Sequence, residues 1–163
     1  MPSEQRKTIR IFYCYAHRDD SLRDALEKHL APLKHLGLIT TSCDREVQPG
    51  VEWQHEIDRH LSTADIILLL VSPNFIGSQY CYHVEMPRVL ERHRAGSAHV
   101  IPIILRPVVW QVTPMGKLRA LPTNGKPIVK WRHRDDAFCD VVQGVYTVVK
   151  VLREVHCKND VQL

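Results

Sequence analysis

The sequence predicts a single α/β domain of the flavodoxin-like class, a three-layer fold with a five-stranded parallel sheet in the order 2-1-3-4-5 and helices on both faces. The length of 163 residues suits one domain. A composition with 44% hydrophobic and 25% charged residues is typical of a globular protein. Short runs of β-branched and aromatic residues alternate with segments that carry apolar residues at helical spacing. This alternation is typical of a parallel sheet covered by helices.

The first strand is predicted at Ile9–Tyr15, because this run is mostly apolar and rich in β-branched and aromatic residues. Residues 19–21, Asp-Asp-Ser, are candidates for the N-cap of the helix that follows. Gly37 is expected to end that helix, and Pro32 is expected to kink or shorten it.

The middle of the chain contains the most apolar predicted strand. Leu38–Cys43 is predicted as the second strand, and residues 44–50 form a charged loop with a Pro-Gly turn signal. A short helix is expected from Trp53 to Leu61. Ala64–Ser72 follows as the third strand and is placed at the centre of the sheet. A helical pattern then returns and continues to about Arg94.

The last third of the chain is predicted to add two strands and a closing helix. The fourth strand is Val100–Leu105, in which Pro102 favours an edge position. A long connection over 106–126 leads to a short fifth strand at Pro127–Trp131. A closing helix runs from Asp135 to about His156. We therefore divide the chain into a flexible segment (1–8), one domain (9–156) and a tail or the start of a linker (157–163).

Charge and cysteine content narrow the functional classes. The net charge of +4 comes without a concentrated basic stripe, so no nucleic-acid partner is expected. Five cysteines without a C-x-x-C pair favour a reducing, cytoplasmic location over a disulfide framework or a zinc centre. Residues 1–7 lack the apolar core of a signal peptide. The longest apolar run, Ile66–Val71, is too short to cross a bilayer, so no membrane partner is expected either.

The strand order itself predicts where a ligand binds. In such sheets, ligands lie beyond the carboxyl ends of the strands at the point where the order reverses. Here that point lies between strands one and three, where the loops 16–20 and 73–85 meet. No glycine-rich phosphate loop occurs in the sequence. His55 and His60 are five residues apart, which places them on different sides of a helix, so no metal site is expected.

Glu85 is the acidic residue that stands out in these loops. Its neighbours in Tyr80–Met86 are mostly apolar and aromatic, and Pro87 favours a kink or a helix start beside it. These local features alone favour a capping or ion-paired glutamate over a catalytic one. A phospho-acceptor domain shares the strand order, but it requires an aspartate where the third strand here ends in Val71-Ser72.

Two motifs resemble the conserved boxes of the Toll/interleukin-receptor (TIR) domain family. Phe12–Tyr15, followed by His17 and Asp19, resembles the first box, F-x-S-Y, with Cys14 in place of the serine. Arg45–Gly50 resembles the second box, R-D-x-x-P-G, in the loop after strand two. The similarity covers the chain from about residue 9 to residue 155.

The bacterial branch of the family provides the better match. Residues 44–53, 64–78 and 80–85 resemble that branch in this order. The third box of the animal receptors and adaptors, F-W, has no clear counterpart, and Phe138-Cys139 is a poor substitute for it.

The resemblance implies an activity and a site. Many TIR domains cleave the nicotinamide–ribose bond of NAD⁺, using a glutamate that follows strand three in a W-x-x-x-E spacing. Glu85 matches that glutamate, and Cys81 occupies the tryptophan position. His17 or Arg45 is expected to face the pyrophosphate. The expected substrate-binding residues are Tyr15, Ala16, His17, Asp44, Arg45, Trp53, Cys81 and Tyr82.

Two functions remain open at this point. The first is an NAD⁺ glycohydrolase or cyclase that acts as an immune or defence effector and is activated by oligomerisation. The second is a non-catalytic module that signals through TIR–TIR contacts. NAD⁺ enters the first function as substrate, and no separate cofactor is expected. Self-association and further domains of a larger chain are the expected protein partners.

Overall fold

Four parallel strands form one sheet. The computed structural model describes residues 7–43 and 53–161, with side chains for 7–43 and 58–155. The strand order is β2-β1-β3-β4. The strands are β1 (Ile9–Cys14), β2 (Ile39–Cys43), β3 (Ile66–Val71) and β4 (His99–Ile104). The predicted α/β class and the predicted order of the first four strands are thus confirmed.

Helices cover both faces of the sheet. They are α1 (Asp20–His35), α2 (Trp53–Thr63), α3 (Pro73–Gly77), α4 (Met86–Arg94) and α5 (Arg134–Val161). Apolar residues of α1 and α5 pack on one face, and apolar residues of α2, α3 and α4 pack on the other. This is the expected three-layer arrangement. The last helix continues five residues beyond its predicted end.

The strand β1 shows how the sequence supplies both cores. Because successive strand residues point to opposite faces, Ile11 and Tyr13 pack under α1 and α5, whereas Phe12 and Cys14 face the other layer. All six residues of β3 are buried, which agrees with its predicted central position.

The first helix ends where the sequence predicts, although it contains a proline. Gly37 has a φ of 71°, and its N–H donates to the carbonyl of Lys34 at 3.0 Å. This is the glycine-terminated end that the sequence indicates. Pro32 lies inside α1, which continues to His35, so the expected shortening is wrong. The buried side chains of Leu30 and Leu33 flank the proline and offset the hydrogen bond that it cannot donate.

The predicted fifth strand is wrong. Residues Ile128–Lys130 form a single 3₁₀ turn, in which the N–H of Lys130 donates to the carbonyl of Pro127 at 2.9 Å. The N–H of Trp131 is likewise used within the turn, on Ile128. These donors are therefore not available to a strand ladder. Ile128 is fully buried, so the segment keeps the core contact that made its sequence look like a strand.

None of the described helices combines the length and the apolar character that crossing a bilayer requires.

Candidate functional site

The turns that leave β1 and β3 enclose a cavity at the carboxyl edge of the sheet. The two strands are parallel neighbours, so their following turns lie side by side. The cavity has a volume of about 350 Å³. It is lined from the first turn by Ala16, His17 and Arg18, and from the second by Pro73, Asn74, Gly77 and Ser78. The described residues therefore form a crevice at the point where the strand order reverses.

A buried polar network joins the two turns below this crevice. Asp19 is 3% exposed and Ser72 is fully buried. One carboxylate oxygen of Asp19 accepts a hydrogen bond from the Ser72 hydroxyl, and the other accepts from the Asn74 amide at 3.0 Å. The Ser72 hydroxyl oxygen in turn accepts from the N–H of Phe75 at 3.0 Å, which caps α3. The network fixes the two walls of the crevice relative to each other.

Asp19 was expected to contribute to the N-cap of α1, but its side chain bonds to the turn after β3 instead. It occupies the N-cap position, but it makes no capping hydrogen bond within α1. Its carboxylate crosses to the turn after β3. Sequence analysis missed this network. The only signal in the sequence was a polar residue, Ser72, directly after six apolar residues of a buried strand.

Glu85 ends a turn of π-helix that precedes α4. The π turn spans Cys81–Glu85, and the N–H of Met86 donates to the carbonyl of Cys81. Pro87 accounts for the wider turn, because it lacks an N–H and its ring would collide with the carbonyl of residue 83 in a regular α-helix. Met86 itself is helical, with φ −59° and ψ −46°, and α4 begins there, so of the two predicted arrangements Glu85 adopts the helix start. Single π turns occur frequently at functional sites.

The Glu85 carboxylate is held in the protein interior. Glu85 is 3% exposed and is one of the few polar or charged residues that are buried in the described part of the chain. Burial of a carboxylate is costly unless other groups compensate it, so this position is not one where a solvated surface glutamate would occur. Glu85 does not line the cavity described above.

Cys81 brings the π turn to the end of β1. Its thiol lies 3.7 Å from the main-chain carbonyl oxygen of Tyr15. Both residues are buried, at 4% and 2% exposure. The predicted site residues Tyr15 and Cys81 are therefore in contact, through the thiol and a carbonyl group.

The ring of Tyr15, an expected substrate-binding residue, does not line the crevice. The ring packs in the core under α1. The Arg23 guanidinium lies 5.6 Å from the ring centroid, and the His17 ring meets its edge at 6.2 Å. Tyr15 follows the alternation of β1 and points away from the layer that holds Cys81.

The other predicted substrate-binding residues fall into three groups. Ala16 and His17 line the cavity. Tyr82 is half-buried against the core that contains Cys81, and its ring meets the edge of the His83 ring at 5.1 Å. Trp53 is the first residue of α2, but its side chain lies outside the described part of the structure, as do Asp44 and Arg45 entirely.

A second polar cluster joins α1 to β1 and β2, on the face of the sheet that α1 and α5 cover. Glu27 accepts hydrogen bonds from Tyr13 at 2.6 Å, from Thr41 at 2.7 Å and from Lys34. Burial alone would raise the pKa of Glu27, but the hydrogen bonds from Lys34, Thr41 and Tyr13 outweigh it and lower that pKa. The pKa of Tyr13 is raised well above its ordinary value by burial, and then by its bond to Glu27.

Within the residues that the structure describes, no group of three histidine, cysteine or acidic side chains is placed to hold a metal ion. The polar side chains of the crevice lining are those of His17, Arg18, Asn74 and Ser78, and Asp19 and Glu85 are the buried carboxylates among the described residues.

Comparisons with known proteins agree with the fold. The chain is 51% identical over 135 residues to the uncharacterized protein y4lF of Sinorhizobium fredii, an alignment that covers 83% of this chain and 42% of that protein. The chain thus spans less than half the length of this relative. Its fold resembles the crystal structure of the TIR domain of the Toll-related receptor TRR-2 from Hydra magnipapillata. That match has a TM-score of 0.50 and 22% identity, and it covers 68% of this chain and 81% of the other.

A family model described as "TIR domain" matches residues 11–141. This range runs from β1 through the crevice turns and the π turn into α5. The sequence boxes, the parallel sheet and this match lead to the same conclusion: the chain belongs to the TIR domain family.

Proposed function

We propose that this TIR domain is an NAD⁺ glycohydrolase in which Glu85 is the catalytic carboxylate. The observation that carries the proposal is the burial of Glu85, to 3% exposure, on a π turn that touches the end of β1 through Cys81. The resemblance to NAD⁺-cleaving TIR domains supplies the substrate. A buried carboxylate, on a turn that contacts the end of the strand leading into the crevice, supplies a group suited to the reaction.

The proposed reaction needs few groups. The nicotinamide of NAD⁺ is a cationic pyridinium, so it leaves as a neutral molecule and requires no general acid. The ribose carbon that it leaves becomes oxocarbenium-like, as in glycoside hydrolysis. A carboxylate held beside that carbon, in a site with little water, stabilises the developing positive charge. Water then adds to the carbon, releases one proton and gives ADP-ribose; attack by another group of the same molecule would give a cyclic product.

The crevice residues have matching roles in this proposal. Arg18 and His17 line the cavity and suit the negative diphosphate of the substrate. Glu85 does not line that cavity, so the proposal requires the substrate to extend from it towards the π turn. Assembly of TIR domains is proposed to complete this extended site.

The test is nicotinamide release from NAD⁺ by concentrated protein under crowded conditions. Glu85→Gln and Glu85→Ala are expected to lower the rate by about 100-fold or more, in keeping with the loss of a principal electrostatic group. The matched control is Glu91→Ala, which removes an exposed glutamate on α4. Thermal unfolding of each variant separates loss of chemistry from loss of fold. Release that continues unchanged in both Glu85 variants would remove this residue from the mechanism.

A second candidate function is docking to other TIR domains without catalysis. The observation that favours it is a pair of exposed apolar side chains on the connection after β4, Val109 at 69% and Val112 at 82% exposure. Sedimentation of the protein over a concentration series, with Val109→Ser and Val112→Ser, tests it. Self-association that these variants abolish, in a protein that releases no nicotinamide under any condition, would favour docking over hydrolysis.

A further inference from the structure

We propose that Asp19 is a positioning residue that fixes the side-chain amide of Asn74, so that Asn74 presents its carbonyl oxygen to a neutral hydrogen-bond donor of the ligand in the crevice. The inference rests on the proposed function for the choice of ligand, because NAD⁺ carries three kinds of neutral donor: the ribose hydroxyls, the nicotinamide carboxamide and the adenine amino group.

The orientation of the Asn74 amide follows from its partner. The Ser72 hydroxyl oxygen accepts from the N–H of Phe75, and its hydrogen goes to Asp19. Asp19 accepts at both carboxylate oxygens, so the Asn74 group that faces it must be the NH₂. A flipped amide would place two acceptor oxygens against each other. Asp19 therefore selects one of the two amide orientations.

The remaining half of the amide is available to a ligand. Asn74 is half-buried and lines the cavity of about 350 Å³. Its carbonyl oxygen accepts no hydrogen bond from the residues that the structure describes. An amide whose nitrogen is committed and whose oxygen is not can distinguish a donor from an acceptor on the ligand.

The cost of burying Asp19 supports a role beyond packing. Among the residues that the structure describes, its hydrogen-bond partners are the hydroxyl of Ser72 and the amide of Asn74, and both are neutral. A buried carboxylate without a cation in contact is expensive, whereas a neutral side chain at this position would be cheaper. The position at the N-terminus of the 16-residue α1 offsets part of this cost, because the helix dipole favours negative charge there. A neutral asparagine at position 19 would bond Asn74 in either orientation, and the selection would be lost.

The experiment follows the side-chain NH₂ resonances of Asn74 in ¹⁵N-labelled protein, assigned by their loss in Asn74→Asp. In the wild type, the Asn74 amide proton that is hydrogen-bonded to Asp19 is expected to exchange slowly with water. Asp19→Asn is expected to make this exchange about tenfold faster or more. Nicotinamide and ADP-ribose are then added separately. A shift with nicotinamide identifies the carboxamide as the donor. A shift with ADP-ribose alone assigns the donor to the ADP-ribose part, and ribose 5-phosphate, which lacks adenine, then distinguishes the sugar hydroxyls from the adenine amino group.

Removal of the acceptor oxygen separates ligand recognition from structural support. Asn74→Ala takes this oxygen away and adds no charge, so it is expected to bind the responding probe about tenfold more weakly than the wild type does. Asp19→Asn combined with Asn74→Asp restores a donor–acceptor pair under the crevice and leaves a carboxylate oxygen at position 74 as an acceptor. We expect this double variant to recover the melting temperature that Asp19→Asn loses and, where nicotinamide is the responding probe, to bind it as the wild type does.

Two results would overturn the inference. One is an Asn74 resonance that responds to neither probe. The other is unchanged probe binding in Asn74→Ala, which would show that the pair only supports the fold. Failure of the proposed hydrolase is distinguishable from both. If NAD⁺ stays intact while ADP-ribose shifts the Asn74 resonance, the hydrolase is refuted and the inference is supported. If NAD⁺ is cleaved while the Asn74 resonance responds to neither probe, the hydrolase is supported and the inference is refuted.

Discussion

Two sets of connections leave the carboxyl edge of the sheet, and they are held by different forces. The short turns after β1 and β3 are joined by buried polar groups, Asp19, Ser72 and Asn74. The long connection after β4, residues 105–133, is anchored by apolar side chains, with Met115 fully buried and Trp110 at 8% exposure. Apolar packing fixes shape without direction, whereas hydrogen bonds also fix which atom points where. The side-chain hydrogen bonds of Asp19, Ser72 and Asn74 therefore fix the orientation of polar groups beside the crevice, which the apolar side chains after β4 do not do.

The largest expected effect is on the apolar connection. A Cβ at Gly116 would lie 2.0 Å from the main-chain carbonyl oxygen of Gln111, so Gly116→Ala forces the backbone to move. We expect a loss of about 3 kcal/mol in the free energy of unfolding, as for severe overpacking. Gly77→Ala is the matched control on the crevice side, because nothing lies within 4 Å of a Cβ there. Chemical denaturation measures both. Equal stability of the two variants would show that the connection after β4 is not tightly packed.

A smaller loss is expected from the polar turns. Ser72→Ala leaves one carboxylate oxygen of Asp19 without its donor and also removes the cap of α3. We expect a loss of about 2 kcal/mol, which is typical for an unsatisfied buried group. At about 2–4 °C per kcal/mol for a domain of this size, the melting temperature should fall by about 4–8 °C. A Ser72→Ala protein that melts like the wild type would contradict the account of the buried network.

The smallest expected effect concerns the polar cluster around Glu27, between α1 and the sheet, in which Lys34 supplies a cation. The pKa of Glu27 is lowered in the folded protein relative to its ordinary value of 4.5. Its ionised form therefore stabilises the fold above that value, and this contribution is lost as the pH falls through the lowered pKa. Glu27→Gln should cost about 1 kcal/mol near pH 7 and less near pH 3. Melting temperatures of both proteins across this range measure the difference. If the difference in melting temperature between the two proteins grew towards low pH, the pKa of Glu27 would be raised in the folded protein and not lowered.

The sequence predicts the fold better than it predicts the site, for a physical reason. The run Ile66–Val71 is apolar throughout, so local pattern and tertiary burial agree. At residues 128–130 they disagree. The side chain of Ile128 enters the core, but the backbone donors close a turn, and hydrophobicity alone cannot distinguish these cases.

The site depends on contacts between distant residues. Strand order was enough to predict that the turns after β1 and β3 meet. The bond from Ser72 to Asp19, by contrast, spans 53 positions and leaves no periodic trace in the sequence. The orientation of the Tyr15 ring was open to prediction, because alternation along β1 places it with Tyr13. It was assigned to the crevice from the resemblance instead.

The outer side of β4 bears on how this sheet could grow. The main chain of Leu121 bonds to the N–H of Ile104 and to the carbonyl of Pro102, at 2.8 and 2.9 Å, and Pro102 has no N–H to offer. The carbonyl of Leu105 is taken by the N–H of Val129. An incoming strand from another molecule would thus find its ladder positions already occupied along the carboxyl half of β4. Edge-to-edge pairing is thus blocked along this half of β4, whereas β2 forms the opposite edge of the described sheet.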